Sequence, residues 1–558
     1  MKNQLHTLMA VLLVAAVLTA CGGGSSSDAG TPAVTSTTEP SRGQLTQSPP
    51  STVVSLSAPF LAALLQSNGA AGQGLLQIGG VPVCGVEVRY LQFRTVGGKG
   101  ELTTATGALM VPTGTASICT GPRPIVLYAH GTASDKSFNI ANLVAPPNPA
   151  YSESVEIASL FAAQGYIVVA SNYVGYDASD SAYHPYLVAD QQSKDMIDAL
   201  TAARTALPLL SGSKVTDNGK LFITGYSQGG FVAMATHRAM QAAGMTVTAS
   251  SPASGFYPMA AFQDYVFSGH PSGPALEALI IAGYQNSYGN LYGAPSDIFT
   301  GGFVGISSAL LANLNYGSLV QRGLAPATAL FSATPPTPAF ASITPAVTNT
   351  FADAVFAASF GDPSLITNSY RLAYLQDMQA HPDGLNPSTL LGRPAAAAAH
   401  PLRQAAVLND LRGFAPAAPV LLCGGSDDPT VLFANHTAVM KAQWAAAPPP
   451  AATVVLDVAS PPAPMNDGFN ALRQGYQALQ AATYDAAYRA AIARKTPALS
   501  TEQVRLLNSS GKSERTGNQR LTSNRATCPQ CRIVRITKVH GEWLIRRQAM
   551  SRTMRDQK

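Results

Sequence analysis

Short apolar runs recur along the chain at residues 124–128, 166–170, 220–224, 419–422 and 453–456. They are rich in Val, Ile and Leu and lack strict alternation, which predicts strands buried on both faces. Between them the spacing turns helical. Residues 152–164 form one such stretch. Residues 190–207 form another, with Met196, Ile197, Leu200 and Ala203 on its apolar side. Strands alternating with helices predict an α/β fold: a mostly parallel central sheet with helices on both faces. Residues 255–414 break the rhythm. They are rich in Ala, Pro, Gly and aromatics and hold no convincing buried strand. Strand patterns resume at Pro419, so this stretch reads as a mainly helical cap inserted into one sheet. The core is then divided into residues 56–254 and 415–493.

The ends of the chain differ from this body. Lys2 precedes an apolar run, Leu8 to Leu18, that is too short to span a bilayer comfortably. It ends in Leu18-Thr19-Ala20-Cys21, followed by Gly and Ser residues. This resembles the lipobox of bacterial lipoprotein signals. The resemblance implies cleavage of residues 1–20 and a lipid on Cys21 that holds the protein at a membrane of the cell envelope. Residues 21–55 read as a linker, because a tract rich in Gly, Ser, Thr and Pro buries little apolar area. From Arg494 onward the composition turns Arg- and Ser-rich, with 15 basic and 4 acidic residues. Residues 494–558 are therefore read as an atypical basic tail.

Composition narrows the function. The 558 residues are 46% hydrophobic and only 12% charged, enough for a large core. The net charge of +5 belongs to the tail; the first 493 residues hold 20 basic and 26 acidic residues. A nucleic-acid partner is excluded for the body on these grounds. Cys84 and Cys119 bracket N-terminal strand patterns, and an oxidising compartment would allow them to pair. Cys528 and Cys531 form a lone C-x-x-C, two ligands short of a structural zinc site, so no metal is expected.

The chemistry centres on Gly225-Tyr226-Ser227-Gln228-Gly229, a G-x-S-x-G turn between a predicted strand and a predicted helix. A serine hydroxyl needs a base to become a nucleophile and must stand clear of its own backbone. A sharp strand-to-helix turn exposes it, and Gly225 and Gly229 remove the clashes such a turn creates. Upstream, a strand ends in Ala129-His130-Gly131-Thr132. The backbone amides of Thr132 and Gln228 are the candidate donors to the oxygen that becomes negative during acyl transfer. His130 reads as a brace for this loop, since it precedes the serine in the chain.

These pieces, together with Ser171-Asn172-Tyr173-Val174-Gly175-Tyr176 and residues 184–190, resemble the α/β-hydrolases, close to bacterial secreted esterases and lipases. The resemblance covers about residues 80–490. It implies a cap between the nucleophile region and the acid, which is where residues 255–414 fall. It also implies the order serine, acid, histidine. In Gly425-Ser426-Asp427-Asp428-Pro429-Thr430-Val431, a G-x-x-D-x-x-V register selects Asp428 over Asp427. Only His436 and His540 follow. His436 stands eight residues on, at a position suited to packing. His540 forms the His-Gly pair that relatives carry, although its surroundings do not match theirs, so it is the candidate base. The implied activity is serine carboxylester hydrolysis of a small-molecule or lipid ester, without cofactor. The alternatives are a serine peptidase or amidase of the same fold, and a catalytically impaired, lipid-anchored binding protein.

Overall fold

The computed structural model describes residues 41–480, except for 271, 311–314, 345–358, 385–390, 429, 462–467, 471, 478 and 479. Nine strands form one sheet in the order β1-β2-β3-β5-β4-β6-β7-β8-β9. β1 (Ser51–Leu56), β2 (Gly85–Val96) and β3 (Leu102–Thr113) are antiparallel, and β3 meets β5 (Ile167–Ser171) antiparallel. From β5 the sheet is parallel through β4 (Gly121–Ala129), β6 (Val215–Tyr226), β7 (Ala249–Ala253), β8 (Val420–Gly424) and β9 (Thr453–Asp457). β5, β7 and β8 are buried at every position, as strands covered on both faces require.

The five apolar runs of the sequence lie on β4, β5, β6, β8 and β9 or overlap them. β7 had no such signal, because its residues are Ala-Ser-Ser-Pro-Ala. Residues 41–55 are corrected from linker to structure. Gly43 N donates to Arg94 O at 2.8 Å, Thr46 N to Gln92 O at 2.9 Å, and β1 pairs with β2. Arg42 reaches Asp198, so this segment is pinned at its start as well. A tract poor in apolar residues orders here because a sheet edge supplies backbone partners.

Two helices follow β1, α1 (Ala58–Ser67) and α2 (Gly69–Gly79). α3 (Tyr151–Leu160) precedes β5, and α4 (Ala189–Ala206) precedes β6. α5 (Gln228–Ala242) leaves β6 directly and packs against α4, β6 and β7.

Among the described residues between β7 and β8, long irregular segments join the regular elements, which are helices. They include α6 (Met259–Phe267), α7 (Pro274–Tyr288) and the helices Asn368–Ala380 and Pro401–Leu408. Buried ion pairs hold this cap. Arg403 grips Asp264 through two bonds of 2.9 Å and reaches Asp377 at 2.8 Å. Arg412 bonds Asp410 and Asp383, and Asp410 also accepts the Ala260 amide. That last contact ties the end of the cap to its beginning. Among the described residues, no helix is long and apolar enough to cross a membrane.

Cys84, before β2, and Cys119, before β4, form a disulfide that spans 35 residues of sequence. A loop of that length contributes about 4 kcal/mol by restricting the unfolded chain. The double variant Cys84→Ser/Cys119→Ser is expected to lose about that much stability in urea unfolding. A change below about 1 kcal/mol would refute the estimate.

Candidate active site

The sheet topology gathers the site before any side chain is considered. In the parallel ladder Ala129 pairs with Gly225, Tyr226 with Ala253, Ala253 with Cys423, and Gly424 with Asp457. The loops that leave β4, β6, β7, β8 and β9 therefore emerge along one edge. Thr132, Ser227 and Asp428 all lie just beyond it, at the carboxyl ends of strands.

Ser227 occupies the turn between β6 and α5 with φ 56° and ψ −122°. A non-glycine residue in this region is strained, and the surroundings must enforce it. Here they do. Ser227 N donates to Ala253 O at 2.9 Å, while Ser227 O accepts from Gly230 N and Phe231 N. A Cβ on Gly225 would lie 2.3 Å from Ala129 O, and one on Gly229 would lie 2.0 Å from the same atom. Gly230 is equally constrained, with Ala253 O 2.1 Å from its missing Cβ. The Gly229-Gly230 doublet carried that signal in the sequence. From Leu221 through His237, Ser227 is the single residue that is not buried.

The loop after β4 is clamped at nearly every polar group. His130 O accepts from the Tyr173 hydroxyl at 3.0 Å, and Ala133 O from the Tyr176 hydroxyl at 2.5 Å. Gly131 O faces His130 Nδ1 at 2.6 Å, and Gly131 N donates to Glu153 at 3.2 Å. The Thr132 hydroxyl pairs with that of Tyr186 at 2.6 Å. Among the described residues, neither the Thr132 nor the Gln228 backbone N–H has a protein acceptor. These are the two amides the sequence singled out, just beyond the ends of the neighbouring strands β4 and β6.

The histidines near this loop are structural. His130 stacks between Phe138 and Tyr173, with its ring nitrogens against the Gly131 and Asn172 carbonyls. Burial pushes it down to about 4. His184 donates from Nδ1 to Val174 O at 2.7 Å, which leaves Nε2 to accept the Gln228 side-chain amide at 2.7 Å. Burial lowers His184 to about 3, so it stays neutral and keeps that bond across ordinary pH. It therefore anchors the residue that follows Ser227, a role the sequence did not reveal.

Asp428 is buried. Its Oδ1 accepts the amides of Thr430 at 2.9 Å and Val431 at 3.0 Å, and its own amide bonds Gly425 O. Asp427 faces elsewhere, toward the Tyr476 hydroxyl and the Gln480 amide. Asp457, at the end of β9, accepts the Ser426 amide and ties this turn to the neighbouring strand. His436 lies between Phe256 and Phe262, and among the described residues its buried Nδ1 has no hydrogen-bond partner. Burial alone lowers it to about 3, the behaviour of a core residue. His540 and Cys21 lie outside the described residues. No histidine stands between His436 and His540 in the sequence, so the segment directly after β9 offers none.

A profile of the prolyl oligopeptidase family matches residues 152–259, the stretch from α3 through the Ser227 turn to the start of α6. The rice cell wall degrading esterase LipA from Xanthomonas oryzae is similar in structure, with a TM-score of 0.56 and 25% identity over 75% of this chain and 92% of that one. A Legionella pneumophila protein described as a hydrolase has a TM-score of 0.50 and 16% identity over 73% and 90% of the two chains, a likeness of fold. No curated protein sequence matches.

The turn makes a direct prediction. Gly229→Ala places a methyl on a backbone oxygen, and overpacking of this kind costs about 1–3 kcal/mol. Its thermal unfolding is expected to fall by several degrees, with loss of Ser227 labelling by a fluorophosphonate. Gly273→Ala, whose Cβ meets nothing within 4 Å, should change neither. Wild-type labelling in Gly229→Ala would contradict the packing argument.

Proposed function

We propose that this member of the α/β-hydrolase superfamily cleaves carboxylic esters through an acyl-enzyme on Ser227. The observation that carries the reading is the strained, outward-turned serine with two unpartnered amides beside it. Ser227 Oγ attacks the ester carbonyl as a base removes its proton. The Thr132 and Gln228 amides donate to the oxygen on which negative charge develops, and preorganised donors of this kind are worth about 10²–10³ in rate each. Collapse releases the alcohol, and water activated by the same base then frees the acid. Asp428 holds and stabilises the base once it is protonated.

His540 takes the role of base in this reading, as the histidine that follows β9 in the chain. No metal or organic cofactor enters any step. An ester is favoured over an amide by the LipA esterase, which is covered over 92% of its length. The prolyl oligopeptidase match is confined to the nucleophile region and keeps peptide cleavage as the second reading. The apolar content of the cap suits hydrophobic acyl or aromatic groups. Cys21 would hold the enzyme at the cell envelope through a lipid.

The first test is fluorophosphonate labelling mapped to its peptide, beside turnover of short and long p-nitrophenyl esters. Ser227 should label, and Ser227→Ala should lose both labelling and turnover by about 10³-fold or more. Equal rates in Ser227→Ala and wild type would remove the catalytic reading. Faster cleavage of peptide p-nitroanilides would replace the ester with a peptide. Asp428→Asn is expected to slow turnover about 10⁴-fold, as loss of the orienting carboxylate does elsewhere. His540→Asn with wild-type turnover would assign the base to another group.

In a bacterial host, an alkyne fatty acid should label the wild-type protein and not Cys21→Ser. Equal labelling of the two would refute the anchor.

A further inference from the structure

A carboxylate on α3 meets the loop after β4 at Gly131, and nothing in the proposed chemistry uses it. Glu153 sits in the first turn of α3, and its Oε1 accepts both the Tyr128 hydroxyl at 2.7 Å and the Gly131 amide at 3.2 Å. Tyr128 lies on β4, three residues before Gly131, so the carboxylate spans the junction of strand and loop. Burial raises Glu153 to about 7 against the pull of those two donors. The other ionisable groups around this carboxylate and Tyr128 are Tyr173 after β5, Glu156 on α3 and Tyr226 on β6.

Three contacts meet on Gly131. Its N–H goes to Glu153, its carbonyl faces His130 Nδ1, and a Cβ on it would lie 2.4 Å from the Tyr226 ring. The His130–Gly131 peptide is therefore held at Gly131 N by Glu153 and at His130 O by the Tyr173 hydroxyl, the Gly131–Thr132 peptide is held at Gly131 O, and the Gly131 Cα rests on the residue immediately before Ser227. Among the described residues the N–H of the next residue, Thr132, has no acceptor. If the Glu153 bond were lost, the His130–Gly131 peptide would keep only the Tyr173 bond at its carbonyl end, and rotation at Gly131 would loosen the following peptide, whose N–H belongs to Thr132.

We infer that Glu153 is a positioning residue for ester cleavage, holding the Gly131 amide so that the Thr132 amide faces the oxygen that gains charge on attack by Ser227. This rests on the ester-hydrolase reading above. Glu153 touches no reacting atom. Its effect should appear in the transition state, where the oxyanion exists, and not in ground-state binding of the ester.

The experiment compares wild type, Glu153→Gln and Glu153→Ala at pH 8, with kcat and KM normalised to sites titrated by fluorophosphonate. Inhibition by an alkyl trifluoromethyl ketone, which binds as an oxyanion, is measured in parallel. Glu153→Ala is expected to lower kcat per site about 10–100-fold and to weaken the ketone by a similar factor, with KM within about twofold. Glu153→Gln keeps an oxygen acceptor for Gly131 and should recover most of both. A general folding defect would instead reduce the number of titrated sites and leave kcat per site unchanged. Wild-type kcat and ketone affinity in Glu153→Ala would overturn the inference, as would an equal loss in both variants.

Hydrogen exchange of the peptide spanning residues 129–134 adds a readout independent of turnover. Exchange should quicken in Glu153→Ala and not in Glu153→Gln; unchanged exchange in Glu153→Ala overturns the inference even if no ester is cleaved. Wild type that neither labels nor turns over would sink the ester reading, while the exchange result still decides the role of Glu153.

Discussion

The site depends on one backbone constraint: Ser227 held at positive φ between β6 and α5. That conformation is unfavourable for any residue with a Cβ, and it persists because three glycines let the strands close around it. Gly225 and Gly229 rest on the carbonyl of Ala129, and Gly230 on that of Ala253. These carbonyls belong to β4 and β7, the two neighbours of β6. The strain is thus borne by β6 and its two neighbours in the sheet. The same compression lifts the serine out of an otherwise buried stretch and points the start of α5 at it, where a helix N-terminus favours negative charge.

Much of this was legible in the sequence because it rests on local chemistry. A G-x-S-x-G turn between a strand and a helix needs its glycines whatever the rest of the fold does, and a parallel strand buried on both faces needs an unbroken apolar run. What escaped was set by tertiary context. β7 pairs on both sides with strands of the sheet, yet its Ala-Ser-Ser-Pro-Ala sequence has neither β-branched residues nor an unhindered set of amides. It is small because α5 presses on it through Gly230, and no window of neighbouring residues reports that pressure. Residues 41–55 looked like spacer because their composition offers little to a core; their order comes from backbone pairing along the edge of β2.

The histidines show the same division. His130 was legible as a brace because chain order excluded it as the base. The anchoring of Gln228 by His184 was not, since it joins residues 44 positions apart through a tautomer that Val174 fixes. Glu153 was hidden for a related reason. One carboxylate in the first turn of a helix carries no signal of its own, and only the approach of α3 to the end of β4 reveals what it holds. Asp428, in contrast, was selected by turn register alone and is the member of the Asp427–Asp428 pair whose carboxylate folds back onto the amides of Thr430 and Val431.

The clasp at the base of the cap has an evolutionary consequence. Asp410 joins Arg412 to the amide of Ala260, so the excursion that leaves after β7 is fastened shut close to where it rejoins β8. A segment closed on itself at its root is modular. Its interior can drift, lengthen or be replaced by descent without disturbing the strands that carry Ser227. Diversification on this fold can therefore proceed by exchanging the roof while the sheet beneath it is inherited intact.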